Sequence, residues 1–151
     1  MMHVSERGLA LIRQYEGFSA TPYLCPAGKN TIGYGHVILT GEVYADGCIS
    51  ENQANDILKQ DVRSVEVALN NLLKVEILQN QFDALGAFTY NIGANAFEKS
   101  SLLAFLNAGD YDKAAAQFGR WVYGGGKILS GLQSRRGAEM ALFLEKSIVT
   151  V

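Results

Sequence analysis

Glu16 stands four residues after Ile12 and seven after Leu9, which places its carboxylate on or beside an apolar helical face. Burying an unpaired carboxylate is costly, so such a group is expected either to be paired or to hold its proton. A paired group is a structural ion pair; a protonated one is a general acid. Arg136 follows Leu132 by four and precedes Met140 by four, so it also borders an apolar stripe. A guanidinium there either lays its stem on the core or meets an acid, Glu16 being one candidate. Arg135 is the neighbouring choice. Asp61 lies between Ile57 and Val65 in the same phase, and His36 is its obvious partner, more for structure than for chemistry. Cys25 sits between Leu24 and Pro26, either a small buried hydrophobe or a reactive thiol. Lys29, its nearest charge in sequence, favours the thiolate. Cys25 and Cys48 either pair or remain thiols.

These residues fall on recognisable elements. Residues 4–17 have helical periodicity, with Ser5 as N-cap, Glu6 in the first turn and Gly17 as the stop. Residues 18–49 carry both prolines, five glycines from Gly28 to Gly47, and β-branched or aromatic residues between them (Thr31, Ile32, Tyr34, Val37, Ile38, Val43, Tyr44). That pattern predicts short strands and tight turns, a small antiparallel meander attached to a helical body. Helices are expected from residue 50 onward. Ser50 and Gln53 form a capping box before the stripe Ala54, Ile57, Leu58, Val62, Val65, Leu69. Residues 79–92 predict a buried central helix closed by Gly93, residues 98–108 and 111–123 two shorter ones. Trp121 reads as a packing residue before the turn Gly124-Gly125-Gly126. A second capping box, Ser130 with Gln133, opens the last helix. The class is α+β, with a sheet lobe at 18–49, a bridging helix at about 50–70 and a helical lobe at about 70–151 plus the N-terminal helix. A cleft between lobes is a usual place for a ligand.

The whole sequence narrows the function. Its 151 residues predict one domain with a full core. A net charge of −2 argues against a generally basic nucleic-acid-binding surface. Two cysteines exclude a disulfide-dense scaffold, and no stretch has the length and apolarity of a membrane span or a signal peptide. No phosphate-binding loop, zinc helix or nucleophile elbow is present.

One spacing organises these observations. Glu16 stands in Tyr15-Glu16-Gly17-Phe18; after eight intervening residues comes Cys25; after five more, Thr31 opens Thr31-Ile32-Gly33-Tyr34-Gly35-His36. This resembles the catalytic signature of phage-type lysozymes, the endolysins of glycoside hydrolase family 24, whose middle position is commonly Asp and in some members Cys. The resemblance continues through Gln81-Phe82-Asp83-Ala84-Leu85, Tyr90-Asn91-Ile92-Gly93, Ser101-Leu102-Leu103, Leu106 to Tyr111, Trp121 and Arg135-Arg136-Gly137-Ala138-Glu139. It covers residues 5 to about 145.

The resemblance implies a lysozyme-like fold whose sheet and helical lobes flank the substrate. It also implies cleavage of the β-1,4 bond between N-acetylmuramic acid and N-acetylglucosamine, with no metal or organic cofactor. Glu16 is then the general acid, oriented by Arg135 or, in preference, Arg136. Thr31 positions the water or the second catalytic group. Cys25 takes the role of the second carboxylate as base, charge or nucleophile, and pairing with Cys48 would switch it off. Tyr34, His36, Val37, Tyr90, Asn91 and Ser101 line or support the cleft. Arg120, Lys127, Arg135 and Arg136 are candidates for a basic patch toward the wall. Expected partners are peptidoglycan strands, with no nucleic acid and no stable membrane insertion. The protein is expected to be monomeric, to collect in the host cytoplasm and to reach the wall after a holin-type lesion. Two rivals are a silent wall-binding module and a lytic transglycosylase, which leaves an anhydro-sugar end.

Overall fold

The helix α3, Gln79–Ile92, is the axis of the molecule. Phe82, Ala84, Leu85, Ala87 and Phe88 on it are all fully buried. Helices α1 (Glu6–Glu16), α2 (Glu51–Leu72) and α7 (Ser130–Leu144) pack against it. The ring of Phe88 meets Phe97, Phe118 and Trp121 edge-on, with centroids 6.3, 5.0 and 5.7 Å away. Trp121 is thus the packing residue its position predicts. The computed structural model describes residues 1–25, 28–39, 41–42 and 47–146.

Between α1 and α2 lies a three-stranded antiparallel sheet, β1 (Ser19–Leu24), β2 (Asn30–Gly33) and β3 (His36–Val37), in sequential order. This is the expected meander; Pro26, Val43 and Tyr44, assigned to it from the sequence, lie outside the described residues. Strands β2 and β3 pack on α2. The long helix α2 starts as predicted: the Ser50 hydroxyl accepts from the Gln53 N–H (3.1 Å), and Gln53 accepts from the Ser50 N–H (2.8 Å).

Four local expectations change. Ser5 occupies the N-cap position of α1, but its hydroxyl and N–H both bond to Asp83 on α3 instead of capping. The helix expected over 98–108 is divided into α4 (Ala94–Glu98) and α5 (Ser101–Asn107), because the Ser100 hydroxyl starts a new helix by accepting from the Leu103 N–H at 3.1 Å. The helix expected over 111–123 ends early, as α6 (Tyr111–Gln117), and tightens into a 3₁₀ turn (Phe118–Arg120), after which strands β4 (Tyr123–Gly124) and β5 (Lys127–Ile128) form a small hairpin. The Leu129 N–H closes this hairpin on the Val122 carbonyl (2.9 Å), so Leu129 takes the N-cap position of α7 and Ser130 is its first residue. The second capping box therefore does not form.

Candidate active site

Gly17 ends α1 directly after Glu16: it adopts φ +70°, and its N–H bonds back to the Arg13 carbonyl at 3.0 Å. The Glu16 carboxylate consequently projects from the last turn, four-fifths buried, with its side chain 21% exposed. The two carboxylate oxygens have different surroundings. Oε1 accepts from Nη1 of Arg135 at 2.8 Å. Among the described residues no hydrogen bond reaches Oε2, which lies against the backbone of Gly35. A Cβ on Gly35 would stand 2.7 Å from Oε2, and the φ of +80° there also favours glycine.

Arg135, not Arg136, therefore holds Glu16. Its other donors reach Glu139 Oε2 (3.1 Å) and the Ala87 carbonyl (2.9 Å), so one buried fork ties α7 to α1 and α3. Arg136 points about 100° away around the helix. It pairs with Glu139 (Nε to Oε1 2.7 Å, Nη2 to Oε2 3.1 Å) and lies over the Phe88 ring at 4.9 Å. Burial lowers the pKa of Arg136 and raises that of Glu139, against their mutual attraction. Both arginines are buried, so neither contributes to a basic surface patch; Arg120 and Lys127 are exposed.

A cleft of about 460 Å³ opens in front of Glu16. It is lined by Gly35, His36 and Val37 of the β2–β3 hairpin, Leu39 after it, Asp61 of α2, and Tyr90 and Asn91 at the end of α3. Sequence reasoning placed Glu16, His36, Val37, Tyr90 and Asn91 together here. Tyr90 is half-buried, its hydroxyl donates to the Tyr34 carbonyl (3.0 Å), and its own pKa is strongly raised, by burial first and then by the charges of Asp61 and Glu16. Tyr34 itself is buried and packs on Phe18 (5.6 Å between centroids) rather than lining the sheet side of the cleft. Ser101 lies exposed in the first turn of α5 and is not among the lining residues.

His36 bridges two acids. Its Nδ1 is 2.7 Å from Asp61 Oδ2 and its Nε2 is 2.9 Å from Glu42 Oε2. Burial works against its charge, but the hydrogen bonds and charges of Glu42 and Asp61 together outweigh it, and the imidazole pKa is raised above 6.5. Burial also raises the pKa of Asp61, with the like charge of Glu42 adding to it, against the pull of His36. Two carboxylates around one ring favour protons at the cluster.

Cys25 follows β1 and is partly exposed. Its N–H bonds to the Lys29 carbonyl at 3.0 Å, and the buried Thr31 hydroxyl donates to the same carbonyl at 3.0 Å. Thr31 thus fixes the turn that presents the thiol. The Tyr23 phenol, which the sequence did not single out, has a pKa raised by partial burial and then by the charges of Glu16 and Cys25. Its signal was its place two residues before Cys25. The two cysteines form no disulfide. The Ile49 N–H bonds to the Ala20 carbonyl (2.9 Å), which sets Cys48 beside the start of β1. Cys25 follows the other end of that strand.

The phage lysozyme family profile matches residues 13–139. An endolysin of Acyrthosiphon pisum secondary endosymbiont phage 1 is 44% identical over 146 residues, 94% of this chain and 98% of that protein. An endolysin of Bacillus phage PZA is 45% identical over 144 residues, 94% of this chain, which spans only 55% of that longer protein. The muramidase domain of SpmX from Asticaccaulis excentricus superposes with a TM-score of 0.88 at 33% identity, covering 97% of this chain and 100% of that one. With the family profile matched over residues 13–139, a relative 44% identical over nearly its whole length and a shared fold, the chain belongs to the phage lysozyme family.

Proposed function

We propose that Glu16 and Cys25, supported by Arg135 and Thr31, carry out the reaction of this lysozyme on the β-1,4 bond between N-acetylmuramic acid and N-acetylglucosamine. The arrangement of the Glu16 carboxylate is the observation that supports this most. Arg135 donates to Oε1, so a proton on the group resides on Oε2, the oxygen without a protein partner. From there it passes to the glycosidic oxygen as the bond to the anomeric carbon breaks. Water adds to the oxocarbenium-like carbon and passes a proton to the Cys25 thiolate, which releases it to solvent as Glu16 is reprotonated. The Cys25 thiolate supplies the negative charge that a second carboxylate usually provides. Thr31, whose proton is committed to Lys29, keeps that turn in place. The division into a sheet lobe, the bridging helix α2 and a helical lobe supports the glycan lying across the cleft.

The test is turbidity loss of outer-membrane-permeabilised Gram-negative cells and hydrolysis of purified peptidoglycan, under reducing conditions. Glu16→Gln is expected to lower the rate by about 10²–10⁴, and Cys25→Ser by at least about 10². New reducing ends in the product support hydrolysis; anhydro ends would make the protein a lytic transglycosylase. Folded wild type that binds peptidoglycan without cleaving it would be a wall-binding module. We also infer a monomer that reaches the wall through a lesion made by another protein of the holin type. No described helix is long and apolar enough to cross a membrane.

A further inference from the structure

Asp61 lines the cleft, and the reaction above gives it nothing to do. Its two oxygens differ as those of Glu16 do. Oδ2 takes the Nδ1–H of His36 at 2.7 Å; among the described residues no hydrogen bond reaches Oδ1. Asp61 lines the cleft with a side chain 27% exposed, and Oδ1 is the oxygen left without a hydrogen bond from the described residues there. Its direction is fixed from behind. Both ring nitrogens of His36 face carboxylates, which only accept, so the ring donates from both. Glu42, on the far side of the ring, is itself held by the Leu39 N–H at 2.9 Å. The series Leu39, Glu42, His36, Asp61 joins the loop, the hairpin and α2, and ends on one acceptor facing the cleft.

An acceptor held in advance loses little freedom when a donor arrives. The cleft carries two carboxyl groups, Glu16 and Asp61, while Arg135 is committed to Glu16 and His36 is committed to its two acids. That balance disfavours anionic parts of a ligand and suits neutral donors. A glycan strand of amino sugars offers these as ring hydroxyls and acetamido N–H groups. We propose that Asp61 is a substrate-binding residue whose Oδ1 accepts a hydrogen bond from a hydroxyl or amide N–H of the glycan. The assignment rests on the reading of this cleft as the glycan site.

Substitution by Asn inverts the outward group. The donating His36 ring selects the Asn oxygen, which turns the amide NH₂ toward the cleft where an acceptor stood. The experiment uses Glu16→Gln protein, which binds without turnover, in sedimentation with purified peptidoglycan. Adding Asp61→Asn is expected to weaken binding roughly tenfold. Adding His36→Gln instead keeps the acceptor and removes its anchor; it is expected to lower Tm to a similar extent while weakening binding only about two- to threefold. In the otherwise wild-type enzyme, Asp61→Asn is expected to raise KM more than it changes kcat. Unchanged binding in Asp61→Asn overturns the assignment, as does an equal loss in His36→Gln, which would make Asp61 an anchor only. A fall in kcat at constant KM overturns it too, because it places Asp61 in the chemistry. Should Asp61→Asn not fold, Asp61→Glu keeps the charge, moves the oxygen, and must also weaken binding. Full hydrolysis by Glu16→Gln would instead reject the reading of the cleft, separately from the role of Asp61.

Discussion

At the scale of single residues, the site depends on what is missing as much as on what is present. Gly35 has no side chain, and Glu16 Oε2 occupies the space a Cβ would fill. Gly35→Ala therefore meets two obstacles, the left-handed backbone and the carboxylate. Gly109, at φ +81° with nothing within 4 Å, meets only the first. Each substitution should cost about 1–2 kcal/mol of stability. Only Gly35→Ala is expected to cut activity, by at least tenfold, because it displaces the proton-donating oxygen. Rates of peptidoglycan hydrolysis and urea midpoints for the two variants, side by side, check this.

At the scale of elements, α7 organises the site from below. Glu139 is completely buried between Arg135 and Arg136, and it orients the fork that reaches Glu16. Removing its charge leaves two buried guanidinium groups facing an uncharged amide. Glu139→Gln is expected to destabilise the fold by about 3–5 kcal/mol, read from urea unfolding, and to lower activity by loosening Arg135. The exposed pair Arg7–Glu145, which joins α1 to the end of α7, is the contrast. Solvent screens it, so Glu145→Gln should leave the urea midpoint nearly unchanged. The difference separates an ion pair that positions chemistry from one that decorates a surface.

At the scale of the whole molecule, His36 joins the sheet to α2 through Asp61, beside the cleft. Its pKa is raised above 6.5 in the folded protein. A raised pKa means the stabilisation is fully present below the unfolded value and is lost as pH rises through the folded one. The Tm gap between wild type and His36→Gln should accordingly be widest near about pH 5.5 and narrow progressively toward about pH 9. A gap that stays constant over this range would show that the ring acts there through shape and not through charge.

Much of this protein is legible along the chain because local physics sets it. The 3.6-residue stripes, the Ser50–Gln53 cap, the glycine-rich meander and the place of Glu16 at a helix end all follow from residues within a few positions of one another. The spacing of Glu16, Cys25 and Thr31 was legible for the same reason. Local pattern could not choose between Arg135 and Arg136, since both border the apolar stripe of one helix and differ by a single step of rotation. The partner that decides between them, Glu16, is 119 residues away. Tyr34 reads as a hairpin aromatic, yet whether it faces glycan or core depends on where Phe18 packs. Asp61 reads as one half of an ion pair, and its second oxygen acquires a direction only when the sheet, α2 and α3 close around the cleft. The sequence by itself determined the elements and the chemical groups they carry; the tertiary structure alone decided which oxygen of each group is held and which is left to meet a substrate, because that depends on partners brought together from opposite ends of the chain.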